Sequence, residues 1–153
     1  MLTIEAILSQ HRFFEGIEPR HLENLVTCAR FARYNKNEYV FKADRPADTF
    51  YVIGPGRIAL ELPTPGRRVL PIQTLGEGEV LGWSWLFPPH LWQFDARAVE
   101  PTQTIAFDAR RLRAQCEADH ELGYQLMKRF ARVMTQRLQA TRMQLMDVYA
   151  VWP

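Results

Sequence analysis

The sequence predicts a mainly β domain with flanking helices. Three observations carry this. Between Phe31 and Phe107, short runs rich in β-branched and aromatic residues are broken by Gly, Pro, Asn and Asp, the rhythm of a compact antiparallel barrel or sandwich. On both sides of that region apolar residues recur at helical intervals, most extensively towards the C-terminus. With 153 residues, 47% apolar and 24% charged, the chain has an ordinary globular composition and the length for one core. The expected layout is a single domain over 1–153, with N-terminal helices over 1–30, a β region over 31–107 and C-terminal helices over 108–150.

Residues 3–9 place Ile4, Ile7 and Leu8 at helical spacing, a short amphipathic helix. Phe13 and Phe14 follow. Pro19 suits a first helical turn, and Leu22, Leu25 and Val26 form one face of a second helix expected to end near Ala29. From Phe31 the period changes. FARY and EYVF flank Asn35-Lys36-Asn37, which reads as a hairpin. TFYVI and RIALEL read as strands around Gly54-Pro55-Gly56, and RRVLPIQTL as another after Pro63-Thr64-Pro65-Gly66. Further strands are expected at 94–99 and 104–107. Asp108 is a plausible N-cap for ARRLRAQCE, and a long helix is expected over about 119–149. In it Met127, Ala131, Met134, Leu138, Thr141, Leu145 and Val148 alternate by four and three, a heptad seam suited to self-association. A second row, Leu122, Leu126, Phe130 and Val133, is expected to pack back on the β region.

The net charge of +2 is too mild to argue for nucleic acid. The basic run Lys128, Arg129, Arg132, Arg137 and Arg142 reads as a solvated helix face. Cys28 and Cys116 lie far apart with no Cys-x-x-Cys, and read as small buried residues of a reducing compartment. MLTIEAILSQH is too short and acidic for a signal peptide, and no run of 18 apolar residues occurs, so a cytoplasmic protein without a membrane span is expected. Neither Gly-x-Ser-x-Gly, Walker A nor His-Glu-x-x-His is present, so no enzyme is expected. Glu79 reads as a solvated loop carboxylate. Cys116 and His120 are four apart beside Glu117 and Glu121, but a break near Ala118 separates them, and no metal site is expected.

FYVIGPGRIAL, with Gly56 at a tight turn, resembles the strand-glycine-strand signature of the cyclic nucleotide-binding domain family. LGEGEVLG resembles the glycine-rich approach to that family's phosphate-binding cassette, with Gly78 and Gly82 at motif glycines. QLMKRFARVMTQRLQ is similar to the start of the dimerising helix of catabolite-activator-type regulators. The resemblance implies a double-stranded β-helix, or jelly-roll β-roll, over 31–107, with its cassette at 76–98 and a long C-terminal dimerisation helix. It also implies that Trp83 stands where a ribose-binding Glu is expected, Gln93 where a phosphate-binding Arg is expected, and Phe94 at a small-residue position.

Those replacements are unfavourable for a nucleotide. An indole N–H donates but cannot accept, and losing a charge-assisted partner of a desolvated anion costs about 2–5 kcal/mol. Both losses together weaken binding by ~10³-fold or more. Arg97 lies about 13 Å further along a strand and is expected to pair with Asp95. No cofactor is therefore expected, and cyclic nucleotide is disfavoured. Three readings of the candidate pocket (Gly82, Trp83, Ser84, Trp85, His90, Trp92, Gln93, Phe94) stay open. Trp83, Trp85, Phe87, Trp92 and Phe94 fill it; or it takes another small ligand, oriented by Gln93 or His90; or helix-start amides and Gln93 retain weak nucleotide binding. A haem-sensing relative would use a His or Cys facing the pocket, and His90 is the one such candidate. The expected protein is a homodimeric sensory or regulatory module acting through a protein partner. With the sequence ending at Trp152-Pro153, no helix-turn-helix and no direct DNA binding are expected.

Overall fold

In the computed structural model, which describes residues 3–66 and 69–151, two four-stranded antiparallel sheets form a jelly-roll flanked by four α-helices. α1 (Ile4–Gln10) starts at Thr3, whose side chain accepts the Ala6 N–H. A 3₁₀ turn (Arg12–Phe14) then buries Phe13 and Phe14. α2 (Pro19–Val26) has Pro19 in its first turn, where a missing N–H costs nothing. It ends three residues short of the predicted Ala29, because β1 (Ala29–Tyr34) already begins there.

The remaining strands are β2 (Tyr39–Phe41), β3 (Thr49–Ile53), β4 (Arg57–Pro63), β5 (Val69–Gly76), β6 (Val80–Leu81), β7 (Asp95–Ala98) and β8 (Thr102–Asp108). One sheet has the order β1-β8-β3-β6 and the other β2-β7-β4-β5. Arg67 and Arg68, predicted at the start of β5, lie outside the described residues. The predicted hairpin of β1 with β2 is not formed. Asn35–Asn37 does turn, with Glu38 N–H donating to the Asn35 carbonyl at 3.0 Å and Asn37 at φ 73°. That turn, however, hands the chain from one sheet to the other: β1 pairs with β8 and β2 with β7. Turn chemistry reverses the chain but does not choose the strand's partner.

Gly56 sits between β3 and β4 at φ 130°, against Thr102. A Cβ there would lie 2.4 Å from Thr102 Oγ1 and 2.5 Å from its Cα. The turn therefore depends on glycine for both conformation and space.

α3 (Ala109–Ala118) is capped by Asp108, which accepts the N–H groups of Arg110 and Arg111. Asp119 breaks the helix and restarts it, accepting from Glu121 and Leu122 N–H at the head of α4 (His120–Val151). Leu122, Leu126 and Phe130 are fully buried and Val133 partly so, as their spacing predicts. The seam residues point away: Met127, Leu138, Leu145 and Val148 are exposed, with Met134 half-buried. From 141 to 150 every residue is exposed, so the last part of α4 stands clear of the core. Among the described residues, no helix is long and apolar enough to cross a membrane.

Replacing Gly56 by Ala should cost at least ~2 kcal/mol, from left-handed strain and collision with the Thr102 backbone. Urea denaturation checks this, and a loss below about 1 kcal/mol would mean the turn relaxes freely.

Candidate functional site: the aromatic cassette and its surroundings

The cassette runs from β6 through a 3₁₀ turn (Ser84–Leu86) to β7. Gly82 is buried at φ 96°, and a Cβ on it would lie 2.7 Å from the ring of Trp92. The absent side chain is thus the seat of an indole. Trp92 is 4% exposed and stacks flat on Phe41 of β2, with centroids 3.7 Å apart and planes within 4°. Phe94 and Tyr51 adjoin Phe41 at 6.4 and 6.5 Å, and Tyr34 meets Tyr51 edge-on at 6.3 Å. The backbone around Trp92 is also held. Asp44 N–H donates to the Trp92 carbonyl, Trp92 N–H to the Arg45 carbonyl and Ala47 N–H to the His90 carbonyl, at 2.7–3.0 Å.

Trp85 points the other way into the same core. It is fully buried, lies 5.3 Å from Phe50 nearly parallel, and meets Phe130 of α4 edge-on at 5.5 Å. Phe50 stacks in turn on Phe107 at 4.5 Å. The Trp85 indole N–H has no partner, a cost of about 1–3 kcal/mol set against the area its ring buries.

The other candidate residues do not converge on a common space. Trp83 is half-buried beneath Arg137, whose guanidinium carbon lies 4.9 Å from the ring centroid, a cation–π contact. Ser84 is half-buried at the start of the 3₁₀ turn, and His90 is half-buried at φ 56°. Gln93, at the position expected to face a phosphate, is exposed and reaches back to the Leu91 carbonyl at 3.4 Å. Phe87, expected among the filling residues, is 48% exposed; three residues before a half-buried His90, it lies on the outer side of the loop.

Two charge assignments change. Arg97 does not pair with Asp95; it grips Glu61 through two 3.0 Å hydrogen bonds and reaches Asn37 at 2.8 Å. The Glu61 hydrogen bond raises the Arg97 pKa, desolvation partly opposing it. Pairing of β4 with β7 sets this up, because Arg97 stands opposite Ala59, two residues from Glu61 on the same side of the sheet. Asp95 instead accepts the Ala43 N–H at 2.8 Å. Glu79 is not a free loop carboxylate either, since it accepts the Gly76 N–H at 2.7 Å.

Arg137 overturns the reading of its basic run as wholly solvated. It is 9% exposed, donates Nη2–H to the Val80 carbonyl and leaves a buried Nη1 without a partner. Burial lowers its pKa to about 10, with nearby Glu79 acting the other way. No single stretch of sequence could announce this, because the wall that buries it comes from β6 and the cassette.

Glu18, His21 and Glu121 lie close enough to suggest cation ligands. His21 is fully buried with neither ring nitrogen hydrogen-bonded. The positive charge there is already supplied: Arg20 contacts Glu121 at 2.6 Å, Glu18 at 3.1 Å and Asp119 at 3.3 Å. The Leu122 N–H and Arg20 hold the Asp119 carboxyl below its ordinary pKa.

Similarity to known proteins agrees with the fold. The sequence model of the family described as "Cyclic nucleotide-binding domain" matches residues 31–119. A CRP-like cAMP-activated global transcriptional regulator of Mycobacterium tuberculosis is 23% identical over 145 residues, 95% of this chain. The chain spans only 63% of that regulator's length. Among solved structures, a protein assigned as cyclic nucleotide-binding from Geobacter metallireducens GS-15 superposes with TM-score 0.80 at 23% identity, covering 90% of this chain and 99% of that one. The regulatory subunit of a cAMP-independent protein kinase A from Trypanosoma brucei superposes with TM-score 0.72 at 14% identity, covering 90% and 48%.

Trp92→Ala should destabilise the fold by about 3–5 kcal/mol, as an emptied aromatic site does. Trp85→Phe should cost less, because it also removes the unpartnered N–H. Chemical denaturation with circular dichroism measures both; a Trp92→Ala cost below about 1 kcal/mol would mean that Trp92 is not part of the core.

Proposed function

The chain belongs to the cyclic nucleotide-binding domain family, and on that premise we propose that it is a non-enzymatic regulatory module whose cassette is filled by its own aromatic side chains. It does not take cyclic AMP in the usual way. The observation carrying this is the seating of Trp92 on Gly82 and Phe41. A ligand entering there has to displace a stacked, nine-tenths-buried indole, at a cost on the scale of emptying an aromatic core site.

Electrostatics point the same way. The two residues best placed along the chain to replace the cassette Arg do not do so: Gln93 is neutral and exposed, and Arg97 is committed to Glu61. Trp83, at the ribose-binding position, presents its ring to Arg137 and offers no acceptor oxygen. That the Trypanosoma regulator named cAMP-independent carries the same fold means the fold by itself does not entail cyclic AMP.

Regulation then runs through α4. Its outer seam is exposed, with Leu138 at 52%, Leu145 at 53% and Val148 at 58%, and a second copy of the chain is the occupant a heptad seam fits. Output passes to a protein partner of that dimer.

Titration with cyclic AMP and cyclic GMP, followed by tryptophan fluorescence, tests the cassette. Unchanged emission is expected. A saturable change that survives the replacement Arg132→Gln, outside the cassette, would overturn the reading. For the seam, Leu138→Lys should convert a dimer to a monomer in sedimentation velocity; a dimer that persists would sink it.

A further inference from the structure

The cleft between the Arg12–Phe14 turn, the β5–β6 connection and α4 lies outside the cassette, and four arginines line it: Arg12, Arg129, Arg132 and Arg137. We propose that this cleft is a binding site for a small phosphorylated anion, a phosphomonoester or diphosphate.

The argument begins with charge. The cleft has a volume of about 330 Å³ and sets four guanidiniums against two carboxylates, Glu15 and Glu79, a net charge of +2. Among the described residues, none of the four arginines forms an ion pair. Elsewhere on the molecule arginines do find carboxylates, as Arg20, Arg57, Arg97 and Arg110 show. What sets this cleft apart is the convergence of four such unpaired guanidiniums on one space.

Three of the four groups are also held in place. Arg12 donates Nε–H to the Gly78 carbonyl at 2.8 Å. Arg129 donates to the Glu15 carbonyl at 2.8 Å and to Gln125 at 2.8 and 3.1 Å. Arg137 is fixed by the Val80 carbonyl and the Trp83 ring. These contacts are to neutral oxygens and a π face, so they orient the arginines and leave their charge unneutralised. Arg132 alone makes no hydrogen bond or ion pair among the described residues, and it is exposed at the rim. Arg129 has its pKa lowered by desolvation and by the neighbouring charge of Arg132.

Division of labour follows from burial. Arg12 and Arg132, both exposed, and the half-buried Arg129 line the cleft where they can touch the anion; Arg137, whose Nη1 is closed off from solvent, contributes its field from the cleft wall. Guanidiniums favour phosphate through paired, charge-assisted hydrogen bonds. A dianion matches the net charge, which singles out phosphoryl compounds over monocarboxylates. Both clusters of contacts bear on regulation: α4 supplies three of the arginines, and Val80 leads directly to the cassette. Unlike the filled cassette, this site needs no aromatic side chain to move, so it stands or falls independently of the reading above.

Isothermal titration calorimetry of the full chain with inorganic pyrophosphate at fixed ionic strength tests it. Saturable binding is expected, weakened fivefold or more by Arg132→Gln with an unchanged circular dichroism spectrum. Succinate, a dianion without phosphorus, should bind at least tenfold more weakly. No saturable heat, a smaller effect of Arg132→Gln, or succinate binding within tenfold of pyrophosphate would overturn the proposal. Pyrophosphate carries neither ribose nor base, so its failure leaves the cassette reading untouched.

Discussion

The packing of Trp92 between the bare Cα of Gly82 and the ring of Phe41 is the contact on which the cassette depends. It joins the loop to β2 through a flat stack with centroids at 3.7 Å, and three backbone hydrogen bonds secure the flanking residues to 44–47. Trp92, a side chain of the loop itself, thus occupies an interior place. Freeing the loop would expose a large aromatic surface and break the adjoining bonds together, so its motions are coupled to the stability of the core.

The same core fixes α4 over only part of its length. Phe130 touches Phe13, Phe50 and Trp85 at centroid distances of 5.1–5.5 Å, tying the helix to the N-terminal turn, to β3 and to the cassette at once. Among the described residues, Met134 is the last apolar residue of α4 packed against the core, and Gln144 adds a hydrogen bond to the Ile72 carbonyl. The last turns of the helix expose Leu138, Met143, Leu145, Met146, Val148 and Tyr149, so their helicity rests on propensity rather than on packing against this domain. The first half of α4 is thus packed on the domain, and the last part is exposed.

Much of this was legible because its signals are local. Thr3 and Asp108 mark helix starts by hydrogen bonds spanning two or three residues, Pro19 marks one by its fixed φ, and Leu122, Leu126 and Phe130 reveal a buried face by spacing alone. Gly56 was legible as a turn, though its collision partner Thr102 was not. What escaped the sequence is what distant strands decide. Whether β1 pairs with β2 or β8 depends on closure of the roll. Arg97 finds Glu61 because β4 lies beside β7, and no rule applied along the β7 strand could discover it. β6 has two residues, too few to alternate. Of the candidate cassette residues, the deep burial of Trp85 and Trp92 follows from aromatic character, but the outward turn of Gln93 and Phe87 follows from loop geometry.

Arg137 gathers these threads into one electrostatic problem. A buried guanidinium without a carboxylate is less favourable than an apolar side chain of similar volume would be, and burial lowers its pKa to about 10. At neutral pH it nevertheless stays charged. The Trp83 face and the Val80 carbonyl compensate part of the desolvation, and Glu79 lies near enough to favour the charge without pairing with it. The remainder is a standing positive potential in a cleft where three further arginines also lack counter-ions. An anion in that cleft would relieve repulsion among groups of which three are already oriented, so most of the ordering of the arginines precedes binding and does not detract from it. Charge that would be a liability in a purely structural helix is thereby placed where β6, the cassette and α4 meet.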